Sequence, residues 1–340
     1  MEILTESITT TYLEFLRKKV LLLVALVGLT AIVALYAVTQ GAYDIAVGDV
    51  IRALTGHAEG AGRIVIANIR LPRIAAAIVC GWGLSLSGLC IQSLLKNPLG
   101  SPSTLGISQG AAFGAALSIV VFGGKVISVT TFAFGGAIGA TLVILALARF
   151  KQLSPEAIIL AGVALSSLFA SATILIQYLA TETQLAMVVF WTFGDVTRST
   201  WPEIAFVAAT VLLYALYLML RRWDLNALAS GEETARGLGV NVDKARIAGM
   251  TAAALVSALA TAFHGVIAFI GLLAPHMARR LVGDDHCLLV PFASVLGALL
   301  LLTADTLGRV LMGSGALPVG VITSFLGAPM FLYLLIRSCR

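Results

Sequence analysis

Residues 96–114 read KNPLGSPSTLGISQGAAFG. Pro98 and Pro102 interrupt the segment, glycines stand at 100, 106, 110 and 114, and long apolar runs flank it on both sides. In water this would be an ordinary loop. Between apolar runs it is a constraint, because non-helical backbone is tolerated at membrane depth only where it faces protein or an aqueous cavity. Proline lacks an amide donor and stops a continuous helix. The segment therefore reads as a polar joint between two apolar helices.

Composition supports lipid as the solvent. Apolar residues make up 59% of the 340 positions, charged residues 11%, and mean hydropathy is +1.00. Soluble domains carry about 25% charged residues. Roughly 200 apolar residues can supply about ten crossings at about 20 residues each. The runs lack the dyad alternation of an outer-membrane barrel. The expected fold is all-α and polytopic, a single transmembrane domain over 1–340. Its spans fall near 20–40, 70–95, 103–122, 128–149, 155–180, 201–222, 244–264, 266–282, 288–309 and 319–337. Across 244–282, Gly265, Gly271 and Pro275 can break the chain into a span and a shorter return helix. The first run, after Arg17, Lys18 and Lys19, exceeds the 7–15 residues of a signal-peptide core, so it reads as a retained span.

Basic residues orient this bundle. With 1–19 as a cytoplasmic amino-terminal segment, 15 of the 22 Lys and Arg residues fall inside and seven outside: Arg52, Arg63, Arg70, Arg73, Lys125, Arg198 and Arg309. The positive-inside rule favours that arrangement, with both termini cytoplasmic. It also explains the net +5 without nucleic acid. Gly106, Gly110 and Gly114 form a small-residue stripe at four-residue spacing, and Gly135, Gly136 and Gly139 do something similar in the next span. Such stripes let another backbone approach closely.

Chemistry is scarce. Cys80, Cys90, Cys287 and Cys339 form no CxxC or Cys/His ligand pattern, and His276 in APHMARR suits a helix-end structural role better than a metal site. The sequence has no GxxxxGK[ST] or HExxH. Active transport would then draw on an ion gradient or on another subunit. Asp305 lies one helical turn before Arg309, so a structural ion pair is the plain reading; Asp195, in WTFGDVTRS, lies in a short re-entrant or surface segment. A gradient-driven carrier would need acids such as these to act as ion relays.

The longest polar interruption, RRWDLNALASGEETARGLGVNVDKAR (221–246), falls on the inner side. Ser230 and Glu233 fit a capping box, while Gly237 and Gly239 can end the resulting short helix. Such a helix could transmit force from a soluble motor; a solvated linker fits the spacing equally well.

The segment 70–115, RLPRIAAAIVCGWGLSLSGLCIQSLLKNPLGSPSTLGISQGAAFGA, resembles the permease subunits of ABC importers for iron–siderophore, haem and cobalamin. ILAGVALSSL (159–168), LGVNVDKAR (238–246), IAFIGLLAPHMARRLVGDDH (267–286), LLTADTLGR (301–309) and LPVGVITSFLGAPMFLYLL (317–335) match the same family in the same order. The resemblance implies a type II importer permease with ten spans in the cytoplasmic membrane of a bacterium or archaeon. Its implied partners are a second permease copy, identical or related, two ATPase subunits that carry ATP and Mg, and an extracytoplasmic binding protein. No cofactor, metal or catalytic residue is implied for this chain.

The resemblance also implies site residues. Asn97, Pro98 and Leu99 correspond to an inner gate, with a static tight turn as the plainer alternative. Arg70, Arg73 and Arg309 correspond to outward-facing arginines that bind acidic lobes of the binding protein; snorkelling arginines without a partner are the alternative. Ser230, Glu232, Glu233, Ala235, Arg236, Leu238 and Gly239, within a cytoplasmic segment 223–243, correspond to a helix that docks into an ATPase. The loop LSPEA (153–157) departs from relatives with small hydroxyl residues there, so Pro155 and Glu156 inherit no second-gate role. The expected cargo is a metal chelate, iron–siderophore first, with haem, cobalamin and the oxyanions molybdate or tungstate as alternatives.

Overall fold

The computed structural model describes residues 2–41, 48, 52, 61–312 and 317–338, and every regular element among them is helical. The first helix, α1, runs Glu2–Thr39. A short α2 (Ala61–Val65) passes through a π turn (Ile66–Arg70) into α3 (Leu71–Leu95). Then come α4 (Ile107–Val121), α5 (Val126–Arg149), α6 (Pro155–Tyr178), α7 (Glu182–Thr192) and α8 (Trp201–Leu220). Two short helices, α9 (Arg222–Ser230) and α10 (Glu232–Gly237), precede α11 (Val242–His264), α12 (Ile270–Val282), α13 (His286–Met312) and α14 (Val319–Ser338).

Helix α3 is the hub, buried along most of its length and packed against α11, α12 and α13. Lipid offers little hydrophobic drive for helices to associate, so close backbone approach and interhelical hydrogen bonds must hold them. The sequence of α3 supplies both. A side chain at Gly81 would collide with the Gly297 carbonyl of α13, and one at Gly88 with the Gly271 carbonyl of α12. Ser85 Oγ donates to Ala293 O at 2.7 Å, and Ser87 Oγ to Ala253 O at 3.0 Å. The α4 stripe admits close backbone approach at all three positions, Gly106 lying against Gly162 and Ser166 of α6. Gly110 lies against Gly136, and Gly114 against Phe132 of α5, whereas Gly135 and Gly139 face open space. Gly106 also starts α4 in the left-handed region, at φ 79°.

Among the described residues, seven helices are long and apolar enough to cross a membrane, and α4, α12 and α14 lie where three further spans were expected. Residues 2–19 are continuous with the first span as one 38-residue helix. At 1.5 Å per residue it is about 57 Å long, well beyond a hydrocarbon core of about 30 Å. Three boundaries differ from expectation. Helix α7 was not anticipated, because 11 residues are too few to register as a crossing. The eighth span begins only at Ile270, after a non-helical stretch bounded by Gly265 (φ 72°) and Phe269 (φ 66°). Pro275 stays inside α12. It leaves the Gly271 carbonyl without its helical donor, and Gln92 Nε2 of α3 lies 3.5 Å from that oxygen and 3.3 Å from Leu272 O.

Candidate functional site at the base of the bundle

The ends of α3, α5, α11 and α12 meet α9 and α10 at one end of the molecule. Lys96 closes α3 in the left-handed region at φ 47°. Asn97 Oδ1 then accepts the Leu99 N–H at 2.9 Å, and the Gly100 N–H reaches Asn97 O at 3.0 Å. Thr104 Oγ1 donates to Leu99 O at 3.0 Å and accepts the Ser101 N–H at 2.9 Å. The 96–106 joint is thus a turn stapled by its own side chains, with Asn97 capping it, while Pro98 and Leu99 are exposed. The other turn, 150–154, carries two left-handed non-glycine residues, Gln152 and Leu153, at φ 53° and 54°. Ser154 caps α6 by accepting the Ala157 N–H at 3.3 Å, with Pro155 following it. LSPEA is therefore a helix start.

The helix α10 forms where a short helix was expected, but not through the expected cap. Helix α9 continues to Ser230, whose Oγ lies 3.4 Å from Asn226 O. An N-cap needs extended backbone, so Ser230 cannot serve, and Gly231 at φ 132° takes the position with no side-chain cap. Glu232 and Glu233 occupy the first turn, Ala235 is buried, Leu238 is 69% exposed, and Gly239 turns the chain out at φ 88°.

Two polar assemblies fasten this end. Glu232 Oε2 meets Nη2 of the buried Arg246 at 2.7 Å, and Glu232 Oε1 pairs with Arg236 at 3.0 Å. The Arg246 hydrogen bond holds the Glu232 carboxyl below its ordinary range, against a smaller opposing effect of burial. Arg246 also reaches Leu153 O at 3.2 Å and Leu94 O at 3.4 Å. In the second assembly, Arg279 of α12 contacts Gln92 and, at 3.2 Å, Ser93 of α3. Ser93 Oγ lies 2.7 Å from His286 Nε2, and His286 Nδ1 lies 2.7 Å from Asn226 Oδ1 of α9. An open groove of about 640 Å³ separates α10 from the 150–154 turn, lined by Arg149, Gln152, Leu153, Glu232, Arg236 and Asp243 among others.

At the opposite end, Arg70, Arg73 and Arg309 do not face outward. They are 4%, 7% and 6% exposed. Arg73 Nε donates to Asp305 Oδ1 at 2.8 Å, and Arg309 Nη2 lies 3.1 Å from Asp305 Oδ2, an ion pair without hydrogen-bond alignment. Arg70 donates to Val38 O, and Arg309 to Ala37 O at 2.8 Å. Those carbonyls belong to the last turn of α1, which has no helical donors left and the negative end of the helix dipole. The buried acid and the helix terminus together draw the three cations inward. The expected Asp305–Arg309 pair is present and extends to Arg73.

A family model, the FecCD transport family, matches residues 29–337. The chain belongs to that family. An ABC transporter permease protein of Methanocaldococcus jannaschii is 46% identical over 97% of this chain and 98% of its own length. The hemin transport system permease protein of Yersinia pestis is 38% identical, covering 80% of this chain and 83% of its own. A solved metal-chelate type ABC transporter in an inward-facing conformation superposes with a TM-score of 0.82 at 32% identity, over 93% of this chain and 99% of that one. The fold is that of a type II ABC importer permease.

In this permease the structure brings Glu232 and Arg236 of the expected helix together and sets Asn97, Pro98 and Leu99 in a neighbouring turn. It separates Ser230 from that helix. Sequence reasoning passed over Arg246 as one more inside-facing charge. Its only signal was position: a charge in the second turn of α11 where the helix enters the core. Asn226, Ser93 and His286 carried no signal, because their partners lie 60 or 193 positions away.

Proposed function

We propose that the permease is one half of the membrane path of an ATP-driven importer for metal chelates, with iron–siderophore complexes as the first cargo class. The observation that carries the reading is α10, a six-residue helix outside the bundle, tethered through Glu232 and presenting an exposed Leu238 beside an open groove. That is the form a docking site for a soluble ATPase takes. The 221–246 end is then cytoplasmic, in a bacterial or archaeal membrane with both termini inside. Two ATPase subunits, which bind ATP and Mg, drive it from below, and a second permease copy completes the path.

Asn97, Pro98 and Leu99 form the inner gate in this reading, Leu99 being the exposed apolar tip of a turn whose hydrogen bonds are local and so able to shift as a unit. The binding protein docks at the opposite end. Arg70, Arg73 and Arg309 act there by fixing the rim from below, through Asp305 and the end of α1. A gradient-driven carrier is less well supported. Asp305 is held by two arginines, and Asp195 Oδ1 accepts the Thr197 N–H at 2.7 Å.

Haem is the second reading for cargo, favoured by the likeness to a hemin permease over 83% of that protein's length. The test is uptake by vesicles holding the permease with its ATPase and binding protein. A radiolabelled ferric hydroxamate, haem and cobalamin serve as probes. ATP-dependent accumulation of the hydroxamate is expected; preferential uptake of haem selects the second reading, and accumulation by the permease alone refutes both.

A further inference from the structure

Arg246 is 2% exposed, yet its guanidinium ends on three separate elements. Nη2 and Nη1 lie 2.7 and 3.4 Å from the Glu232 carboxylate of α10. Nη1 also donates to Leu153 O at 3.2 Å, and Nε to Leu94 O at 3.4 Å. Leu94 is in the last turn of α3, directly before the 96–106 turn; Leu153 is in the 150–154 turn. Arginine can hold three such acceptors because its donors form a rigid planar fork, which lysine lacks.

Both turns have backbone that relaxes if released. Lys96, Gln152 and Leu153 are non-glycine residues with φ of 47°, 53° and 54°. Such conformations persist only where the surroundings impose them. The base of Arg246 is firm, since α11 is capped by Asn241, whose Oδ1 accepts the Lys244 N–H at 3.0 Å, and packs on α3. Glu232, by contrast, is 36% exposed and borders the open groove, which leaves α10 room to move.

We propose that Arg246 is the positioning residue through which displacement of α10 reaches both the 96–106 and the 150–154 turns. The inference rests on the reading of α10 as an ATPase-docking helix. When Glu232 moves, the fork must rotate or lose its carboxylate, and either change alters the support of the Leu94 and Leu153 carbonyls together. One side chain thereby switches two turns in step.

Hydrogen exchange on the assembled transporter tests this, comparing ADP with ATP plus vanadate. In the wild type, exchange at 96–106 and 150–154 is expected to change between the two nucleotide states. In Arg246→Gln that change is expected to fall at least about fivefold, the lower end of ordinary site-to-site coupling. The ATPase is expected still to hydrolyse ATP and to protect residues 232–237. Arg246→Lys, which keeps the charge but not the fork, is expected to behave as Arg246→Gln does. Glu232→Gln, at a partly exposed carboxylate, carries the test if the Arg246 variants do not fold. Retention of the full nucleotide response in Arg246→Gln or in Glu232→Gln overturns the proposal. If the wild-type ATPase leaves 232–237 unprotected, the docking reading fails, and this inference with it.

Discussion

Replacing Asp305 with asparagine isolates the charge at the Arg70 end of the bundle. The substitution keeps the volume and one acceptor oxygen but removes the negative charge shared by Arg73 and Arg309, which approach Asp305 to 2.7 and 3.1 Å at a fully buried site. Removing one partner of a buried pair costs about 3–5 kcal/mol, because the other charge stays buried and uncompensated. Arg309 keeps its bond to Ala37 O, and a cation at a helix C-terminus gains about 0.3–1 kcal/mol. The expected loss is therefore about 3 kcal/mol. Ordinary hydrogen bonds between membrane helices average about 0.6 kcal/mol, so the two accounts are well separated. Unfolding of the purified permease in mixed micelles by rising SDS, followed by circular dichroism, measures the difference. Adding Arg309→Met to Asp305→Asn should recover part of the loss, since it removes a stranded charge. A cost of about 0.6 kcal/mol or less for Asp305→Asn, with no recovery in the double variant, would show that the cluster is not a buried ion network.

Two further outcomes are expected. Gly88→Val, which drives a side chain into the Gly271 carbonyl, should cost about 3 kcal/mol or more as overpacking between α3 and α12, whereas Gly139→Ala, facing open space, should leave SDS unfolding unchanged; equal behaviour of the two would contradict the packing described. For Glu232 the folded-state pKa is depressed by Arg246 from its ordinary 4.5, so the stability from this tether is fully present above 4.5 and is lost as pH falls through the lower folded value. Hydrogen-exchange protection of 232–237 should thus hold from pH 7 to pH 5 and weaken only below about 4.5, with no such acid step in Glu232→Gln; a loss between pH 7 and pH 5 would exclude the Arg246–Glu232 pair as its source.

Much of this architecture was legible in one dimension because lipid imposes a one-dimensional rule. A crossing needs a long apolar run, and such runs, the glycine stripe of α4 and the broken joint at 96–106 can all be read locally. Charge spacing announced Asp305 and Arg309 for the same reason, since one helical turn is a local distance. The errors arose where a neighbour distant in sequence intervened. Pro275 remains helical beside Gln92, whose amide lies near the carbonyl it leaves vacant. Ser230 looked like a cap, but α9 extended through it.

The arginines at 70, 73 and 309 show the division most clearly. Their charge, their spacing from the apolar runs and their end of the bundle follow from sequence, because hydropathy places a polar group at a membrane boundary. Whether they point to solvent or into the protein depends on where Asp305 and the last turn of α1 arrive, 232 and 32 positions from Arg73 and Arg70 respectively. Arg246 is decided in the same way, by a carboxylate and two carbonyls that only folding brings within reach of one guanidinium. Solvent preference belongs to each residue and can be summed along a chain; a hydrogen bond belongs to a pair, and its partner exists only in three dimensions.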